Sequence, residues 1–302
     1  MTTDYRLPTT DYRLPTTDIA IHMRRLTENE ELVGRHYNDV IFEYESLRAQ
    51  YCPVEFEITA RQLERLIPER ALVAEVGVGG GFYTELLARR GCRLHLVDVS
   101  ARLLDTAWSK LRAGGFQEQI IDIDLASSTS LDCLPDGKFD AVLMLGPLYH
   151  LCRLEDRRHS VREAARALKP GGLIFAAGIN RLAYLRDLLR ESPLAILARQ
   201  EFHKRYLSNG NLDPEHAPPI GFAHLTTIAE FKELFDGHFA EISLLGLESF
   251  AGVWQKILSE LPEEEGRAWM DLIEQTASMP EALGLSDHLL YIGRNNKVGE
   301  AG

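Results

Sequence analysis

Between Leu72 and Phe82 the chain reads Leu-Val-Ala-Glu-Val-Gly-Val-Gly-Gly-Gly-Phe. Five residues of strand character run straight into a glycine turn, and a helical pattern follows over Phe82–Arg90. Glycines let the chain turn tightly and let a ligand approach the backbone, so this strand–turn–helix is the entry to a ligand-binding α/β sheet. The spacing limits the ligand. A dinucleotide fingerprint needs GxGxxG. Counted from Gly77, its third glycine falls on Phe82, and counted from Gly79 it falls on Thr84. Both registers fail, which disfavours NAD and FAD. The turn also lacks the Lys-Ser/Thr ending of a P-loop, which disfavours ATP or GTP hydrolysis.

The rest of the chain alternates in the same sense. Strands are expected at Leu72–Val76, Leu94–Val97, Gln119–Ile123, Ala141–Leu145, Leu173–Ala177, Ile242–Leu247 and Leu289–Ile292. Helices are expected at Asn29–Arg48, Glu57–Leu66, Ala101–Arg112, Val161–Leu168 and Ile228–Leu234, with another helical stretch over Trp254–Met279. This order implies a Rossmann-like α/β fold, a mostly parallel seven-stranded sheet with helices on both faces. Such sheets bind ligands at the carboxyl ends of their strands. The predicted organisation is a repeat tail over 1–17, an N-terminal helical cap over 18–70, and one α/β domain over 71–302 with a lid-like insertion at 181–223. The tail repeats Thr-Thr-Asp-Tyr-Arg-Leu-Pro at Thr2–Pro8 and Thr9–Pro15. Its polarity and prolines read as disorder. A homodimer bridged by the tail and first helix is a further expectation.

Composition narrows the partners. With 33 Lys+Arg against 45 Asp+Glu the net charge is −12, so no nucleic acid is expected as a partner. No apolar run approaches the roughly 20 residues of a membrane helix, and no membrane partner is expected. Cys52, Cys92, Cys133 and Cys152 show no CxxC spacing. They read as reduced thiols of a cytoplasmic protein. The histidines form neither HxH nor HExxH, so no metal is expected.

The pattern Glu75-x-Gly77-x-Gly79-x-Gly81 resembles the first motif of class I S-adenosylmethionine-dependent methyltransferases, and further matches follow in order. Asp98 ends Leu96-Val-Asp-Val-Ser100, 17 residues after Gly81. Asp122-Ile-Asp-Leu125, Phe139–His150 and Ala167-Leu-Lys-Pro-Gly-Gly172 resemble the family's next three motifs. With the His36-Tyr37 helix, the Val54–Glu57 segment and Leu145-Gly-Pro-Leu-Tyr-His-Leu151, they are similar to a bacterial branch acting on small molecules. Ala74-Glu75 departs from the more usual Leu-Asp.

The resemblance implies S-adenosylmethionine as cofactor and methyl transfer to oxygen, nitrogen or carbon of a small-molecule acceptor. Asp98 would take the ribose hydroxyls, since a carboxylate accepts from both. Asp124 would take the adenine amino group. Glu75, Gly77, Gly79 and Gly81 would serve the methionyl end. Val99, Leu125 and Leu145 complete the expected cofactor set, and Tyr37 would close over it from the first helix. Tyr149 and His150, at the mouth of the fourth strand, are catalytic candidates facing the acceptor. His150 would be the general base if one is used. His224, where the insertion returns, is another. Tyr184, Phe202, Tyr206 and Phe222 are candidates to line the acceptor pocket. The rival expectations are a nucleotide-cofactor oxidoreductase, an RNA methyltransferase and a non-catalytic binding scaffold.

Overall fold

A computed structural model describes residues 21–24, 26–213, 215–216 and 220–297. The 1–17 repeat lies outside the described residues. The chain enters with a short strand, β1 (Ile21–Met23), and continues through α1 (Glu28–Asp39), α2 (Phe42–Ser46), α3 (Arg48–Tyr51) and α4 (Pro53–Leu66). Then come β2 (Leu72–Val76), α5 (Phe82–Arg89), β3 (Arg93–Asp98), α6 (Ala101–Ala113), β4 (Ile120–Leu125), β5 (Phe139–Met144), α7 (Leu154–Ala167) and β6 (Leu168–Ile179). The insertion holds α8 (Ala183–Glu191), α9 (Gln200–Asn209), β7 (Asn211–Leu212) and β8 (Ala223–His224). The chain returns through α10 (Ile228–Glu233), β9 (Phe239–Gly246), α11 (Gln255–Ser259), α12 (Glu263–Thr276), α13 (Pro280–Leu285) and β10 (His288–Asn295).

The main sheet has eight strands in the order β1-β4-β3-β2-β5-β6-β10-β9. Every pair from β1 to β6 is parallel, and β10 is antiparallel to both β6 and β9. The seven expected strands are joined by β1, which pairs Ile21 with Ile123 and Met23 with Leu125. The 18–70 segment is therefore not wholly helical: it begins as an edge strand. The chain order reverses direction between β2 and β5, which makes their carboxyl ends the switch point where such sheets bind ligands.

Alternate strand residues feed two cores, because successive side chains point to opposite faces. Val73, Leu94, Leu143 and Phe175 face α4, α5, α6 and α12, meeting Ile58, Leu87, Trp108 and Ile273. Ala74, Val142, Ile174 and Ala176 face α7 and α10, meeting Val161, Ala164 and Phe231. Burying one such aliphatic or aromatic side chain contributes about 1.5–3 kcal/mol, so both faces must be covered for the sheet to hold.

Two local departures matter for the site. The single helix expected over Asn29–Arg48 is broken into α1, α2 and α3, with the first break at Val40-Ile41. The Lys169-Pro-Gly-Gly turn is absorbed into β6 as an irregularity, where pairing steps from Phe139–Leu168 to Ala141–Leu173. Lys169 binds Asp140 at 2.6 Å, while Asp140 also accepts from the Leu72 backbone at 2.8 Å. The turn therefore ties β6, β5 and β2 together.

Candidate active site

A cleft of about 510 Å³ opens at the carboxyl ends of β2, β3, β4 and β5. Its floor is Val76, Gly77 and Gly79 from the glycine turn, and Asp98 and Val99 from the end of β3. One wall is Ala126–Thr129, after β4. The opposite wall is Leu145–Pro147 and Tyr149-His150, after β5. Thr27, Glu30, Val33 and Tyr37 of the α1 region, with Glu45 and Arg48, cover it, and Phe222 of the insertion closes one end.

The glycine turn is shaped for close contact. Gly79 has φ +53°, a conformation that costs an L-residue about 1–2 kcal/mol, and a Cβ there would lie 2.6 Å from Oε1 of Glu45. A Cβ on Gly77 would meet Pro147 at 2.7 Å. The Gly79 N–H donates to Oδ2 of Asp98 at 3.2 Å, and the Ser100 N–H donates to Oδ1 at 2.8 Å. Asp98 is thus fixed by backbone donors with lone pairs still open to the cleft. Burial pushes its carboxyl up to about 6.

Alpha-1 is clamped over the cleft at both ends. Thr27 and Glu30 form a reciprocal capping box, and the Thr129 hydroxyl donates to Glu30. At the far end Tyr37 Oη lies 2.6 Å from Nε2 of His150. His150 Nδ1 lies 3.0 Å from the Phe222 carbonyl, which can only accept, so Nδ1 carries the proton. Nε2 then accepts from Tyr37. Burial holds the imidazole neutral, down to about 4. The Tyr149 hydroxyl accepts from Arg48 Nη1 at 3.0 Å, and Arg48 Nη2 binds Glu55 at 2.8 Å.

The cleft brings together Tyr37, Gly77, Gly79, Asp98, Val99, Leu145, Tyr149 and His150 from the predicted set. Glu75, Gly81, Asp124, Leu125 and His224 are not in its lining. Glu75 is buried behind the turn and accepts from the Thr84 hydroxyl at 2.7 Å; burial pushes it up to about 8. Gly81 faces α6, where a Cβ would meet that of Ala107 at 2.8 Å. His224 is buried in the β7–β8 ribbon with Nδ1 2.9 Å from Asn211 Oδ1.

Asp124 is placed elsewhere for a physical reason. Strand β4 runs to Leu125, two residues beyond the expected end, so the strand mouth is Ala126-Ser127. Asp124 turns instead to His95 Nε2 at 2.7 Å and receives Arg24 Nε at 3.0 Å. Burial opposes its charge, but those two bonds win and hold the carboxyl below its ordinary range. Leu125 is occupied by β1, its carbonyl accepting from Arg24 N at 2.9 Å. Cys133 stands close to this pair, its thiol pushed up to about 12 by burial and by Asp124. Arg24 already supplies the positive charge that Asp124 requires.

Of the insertion aromatics, Phe222 lines the cleft. Tyr184, Phe202 and Tyr206 pack on one another with ring centroids 5.1–6.0 Å apart, forming the insertion's own core. Sequence reasoning missed Glu45, Arg48 and Ser127–Thr129 as lining residues. The small polar run after β4 was a readable signal for the last. Glu45 and Arg48 were hidden inside an apparently continuous helix.

A methyltransferase-domain family model matches residues 74–176. The ubiquinone biosynthesis O-methyltransferase of Xanthomonas axonopodis pv. citri is 33% identical over 129 residues, 43% of this chain and 50% of that protein. This chain therefore spans about half the length of the first curated relatives it matches. The counterpart from Methylococcus capsulatus is 32% identical over 165 residues, 50% of this chain and 67% of that protein. The chain belongs to the class I S-adenosylmethionine-dependent methyltransferases. Its methyltransferase fold is shared with the Burkholderia thailandensis 1,6-didemethyltoxoflavin-N1-methyltransferase, solved with 1,6-didemethyltoxoflavin and S-adenosylhomocysteine bound. That likeness has a TM-score of 0.53 at 16% identity, covering 92% of this chain and 95% of the other. Within the methyltransferase family pattern, the matched residues span the glycine turn, β3, β4, β5 and most of β6.

Proposed function

We propose that the chain transfers a methyl group from S-adenosylmethionine to an oxygen, nitrogen or carbon of a small-molecule acceptor. The carrying observation is Asp98: a carboxylate at the end of β3, anchored by the Gly79 and Ser100 N–H groups and open to the cleft. Its open lone pairs suit a ribose diol. Gly77 and Gly79 line the end of the cleft that takes the methionyl chain, Val99 and Leu103 flank the nucleoside, and Ala126–Thr129 take the place beside adenine that Asp124 does not reach. The cleft fits a cationic ligand. A dinucleotide pyrophosphate placed on this turn would meet the carboxylates of Glu45 and Asp98.

The sulfonium methyl is supplied already activated: an acceptor atom displaces S-adenosylhomocysteine from it, and a hydroxyl or amine acceptor also gives up its proton. What the chain contributes is position. Holding two reactants in line supplies about 7–11 kcal/mol. Tyr149, His150, Phe222 and Arg153 form the acceptor side of the cleft. His150 acts as a positioning residue, since its Nε2 is covered by Tyr37. The 71–302 unit carries the reaction, with 181–223 closing the acceptor end through Phe222. The relatives named for ubiquinone biosynthesis support a small metabolite as acceptor. The net charge of −12 supports it over a nucleic acid. The four cysteines are free, which supports a cytoplasmic setting. Among the described residues no helix is long and apolar enough to cross a membrane.

Calorimetric titration with S-adenosylhomocysteine and with NADH tests the reading. S-adenosylhomocysteine is expected to bind and NADH is not. Preferential NADH binding would overturn it. A cofactor-consumption assay over a metabolite panel, with mass spectrometry for a product heavier by one methylene unit, then identifies the acceptor.

A further inference from the structure

A charge cluster reaches the cleft beside the glycine turn through Glu45 and Arg48. Glu55 binds Arg48 at 2.8 Å, and Glu248 binds His288 Nδ1 at 2.6 Å, with Glu55 3.8 Å from the same nitrogen. The Glu55 and Glu248 carboxylates are thus matched by two cations, Arg48 and an imidazole pushed up to about 9. For His288, burial opposes the charge, and Glu55 and Glu248 outweigh it. Glu45 is the third carboxylate. It stands 3.8 Å from Arg48, beyond hydrogen-bond reach, and its side chain is 11% exposed against 7% for Glu55 and 1% for Glu248. It is the carboxylate of the three that lines the cleft. Without a further cation, burial pushes Glu45 upward from the ordinary carboxylate range.

Its position says which cation. Oε1 of Glu45 lies over Gly79, where a Cβ would come within 2.6 Å. That is the methionyl end of the cleft in the reading above. Glu75, the acidic residue of the first motif, is directed away to Thr84.

We propose that Glu45 receives the α-ammonium of the methionyl moiety, doing from α2 what the sequence assigns to Glu75. The inference rests on S-adenosylmethionine being the ligand. An ammonium there would pair the one carboxylate of the three that neither Arg48 nor His288 binds within hydrogen-bond distance.

The test uses the full chain and two ligands, S-adenosylhomocysteine and 5′-methylthioadenosine, which keeps the nucleoside and lacks the amino acid. Calorimetry on the wild type is expected to show S-adenosylhomocysteine binding more tightly. In Glu45→Gln its affinity falls about tenfold or more, the size expected for a charge-assisted hydrogen bond, while methylthioadenosine stays within about twofold. Methylthioadenosine binding also reports that the variant cleft is folded. Glu45→Asp, which keeps the charge, recovers part of the loss. Unchanged S-adenosylhomocysteine affinity in Glu45→Gln, or equal losses for both ligands, would overturn the assignment to Glu45 alone. A wild type that binds neither ligand would overturn the cofactor reading and this inference with it.

Discussion

Tyr37 donates its phenolic proton to Nε2 of His150 across 2.6 Å, and this bond joins the covering helix α1 to the turn after β5. The same imidazole donates from Nδ1 to the Phe222 carbonyl, so one side chain fastens α1, the sheet and the insertion around the cleft. Both ring nitrogens are engaged, and burial holds the ring neutral, down to about 4. Such a group is a weak base with its lone pair covered.

His150→Ala is therefore expected to lower kcat by less than about tenfold, not the 10²–10⁴ associated with losing a general base. KM for the acceptor should rise. The wild-type kcat profile should lack a limb near the ordinary histidine range. A loss of about a thousandfold in kcat, with such a limb present in the wild type, would return the base role to His150.

Asp98→Asn removes the charge and keeps the shape. Hydrogen bonds to charged groups contribute about 1.5–3 kcal/mol, which corresponds to roughly 10–150-fold in affinity. S-adenosylhomocysteine binding should weaken within that range, and methylthioadenosine should weaken alongside it, because both carry the ribose. Calorimetry checks both. Affinity unchanged for either ligand would remove Asp98 from the ribose role.

Asp124→Asn separates the sequence expectation from the structure. Asp124 holds His95 and Arg24 away from the cleft lining. Removing one partner of a buried pair costs about 3–5 kcal/mol. Arg24 is 39% exposed, so solvent screening reduces this to roughly 1–3 kcal/mol. The unfolding free energy from urea denaturation should fall by that amount while S-adenosylhomocysteine affinity stays within about threefold. A large loss of affinity at unchanged stability would place Asp124 at the adenine after all.

These cases show how much of the site the sequence carries. The alternation of β2, α5, β3, α6, β4, β5 and α7 was readable, because short strands rich in Val, Ile and Leu alternate with segments of helical periodicity. Asp98 was readable for the same reason: it closes Leu-His-Leu-Val at the strand end. Three things were not. Strand β1 has three residues and no alternation long enough to register, yet it brings Arg24 to Asp124. The break between α1 and α2 carries no proline or glycine, so nothing in the sequence marked Glu45 as lying over the glycine turn. The extent of β4 is set by pairing with β1 and β3 on both sides, which local propensity does not encode.

The final prediction concerns pH. His150 and His224 are both held down to about 4 by burial. The unfolded chain takes up protons at its ordinary histidine pKa of about 6.5, whereas the folded chain takes them up only near 4. Their contribution to stability is therefore complete above about pH 6.5 and is lost as pH falls from there toward 4. His288 runs the other way, held up to about 9. Its contribution is complete below about pH 6.5 and is lost as pH rises toward 9. Urea midpoints measured from pH 4 to 9.5 should give a dome with its maximum near pH 6.5. In His288→Gln the alkaline arm should flatten while the acidic arm persists. The wild type should therefore lose its margin over the variant between pH 6.5 and 9, because there the Glu55–Glu248 cluster gives up its imidazolium. An alkaline arm of unchanged slope in the variant would show that His288 does not hold that proton in the folded chain.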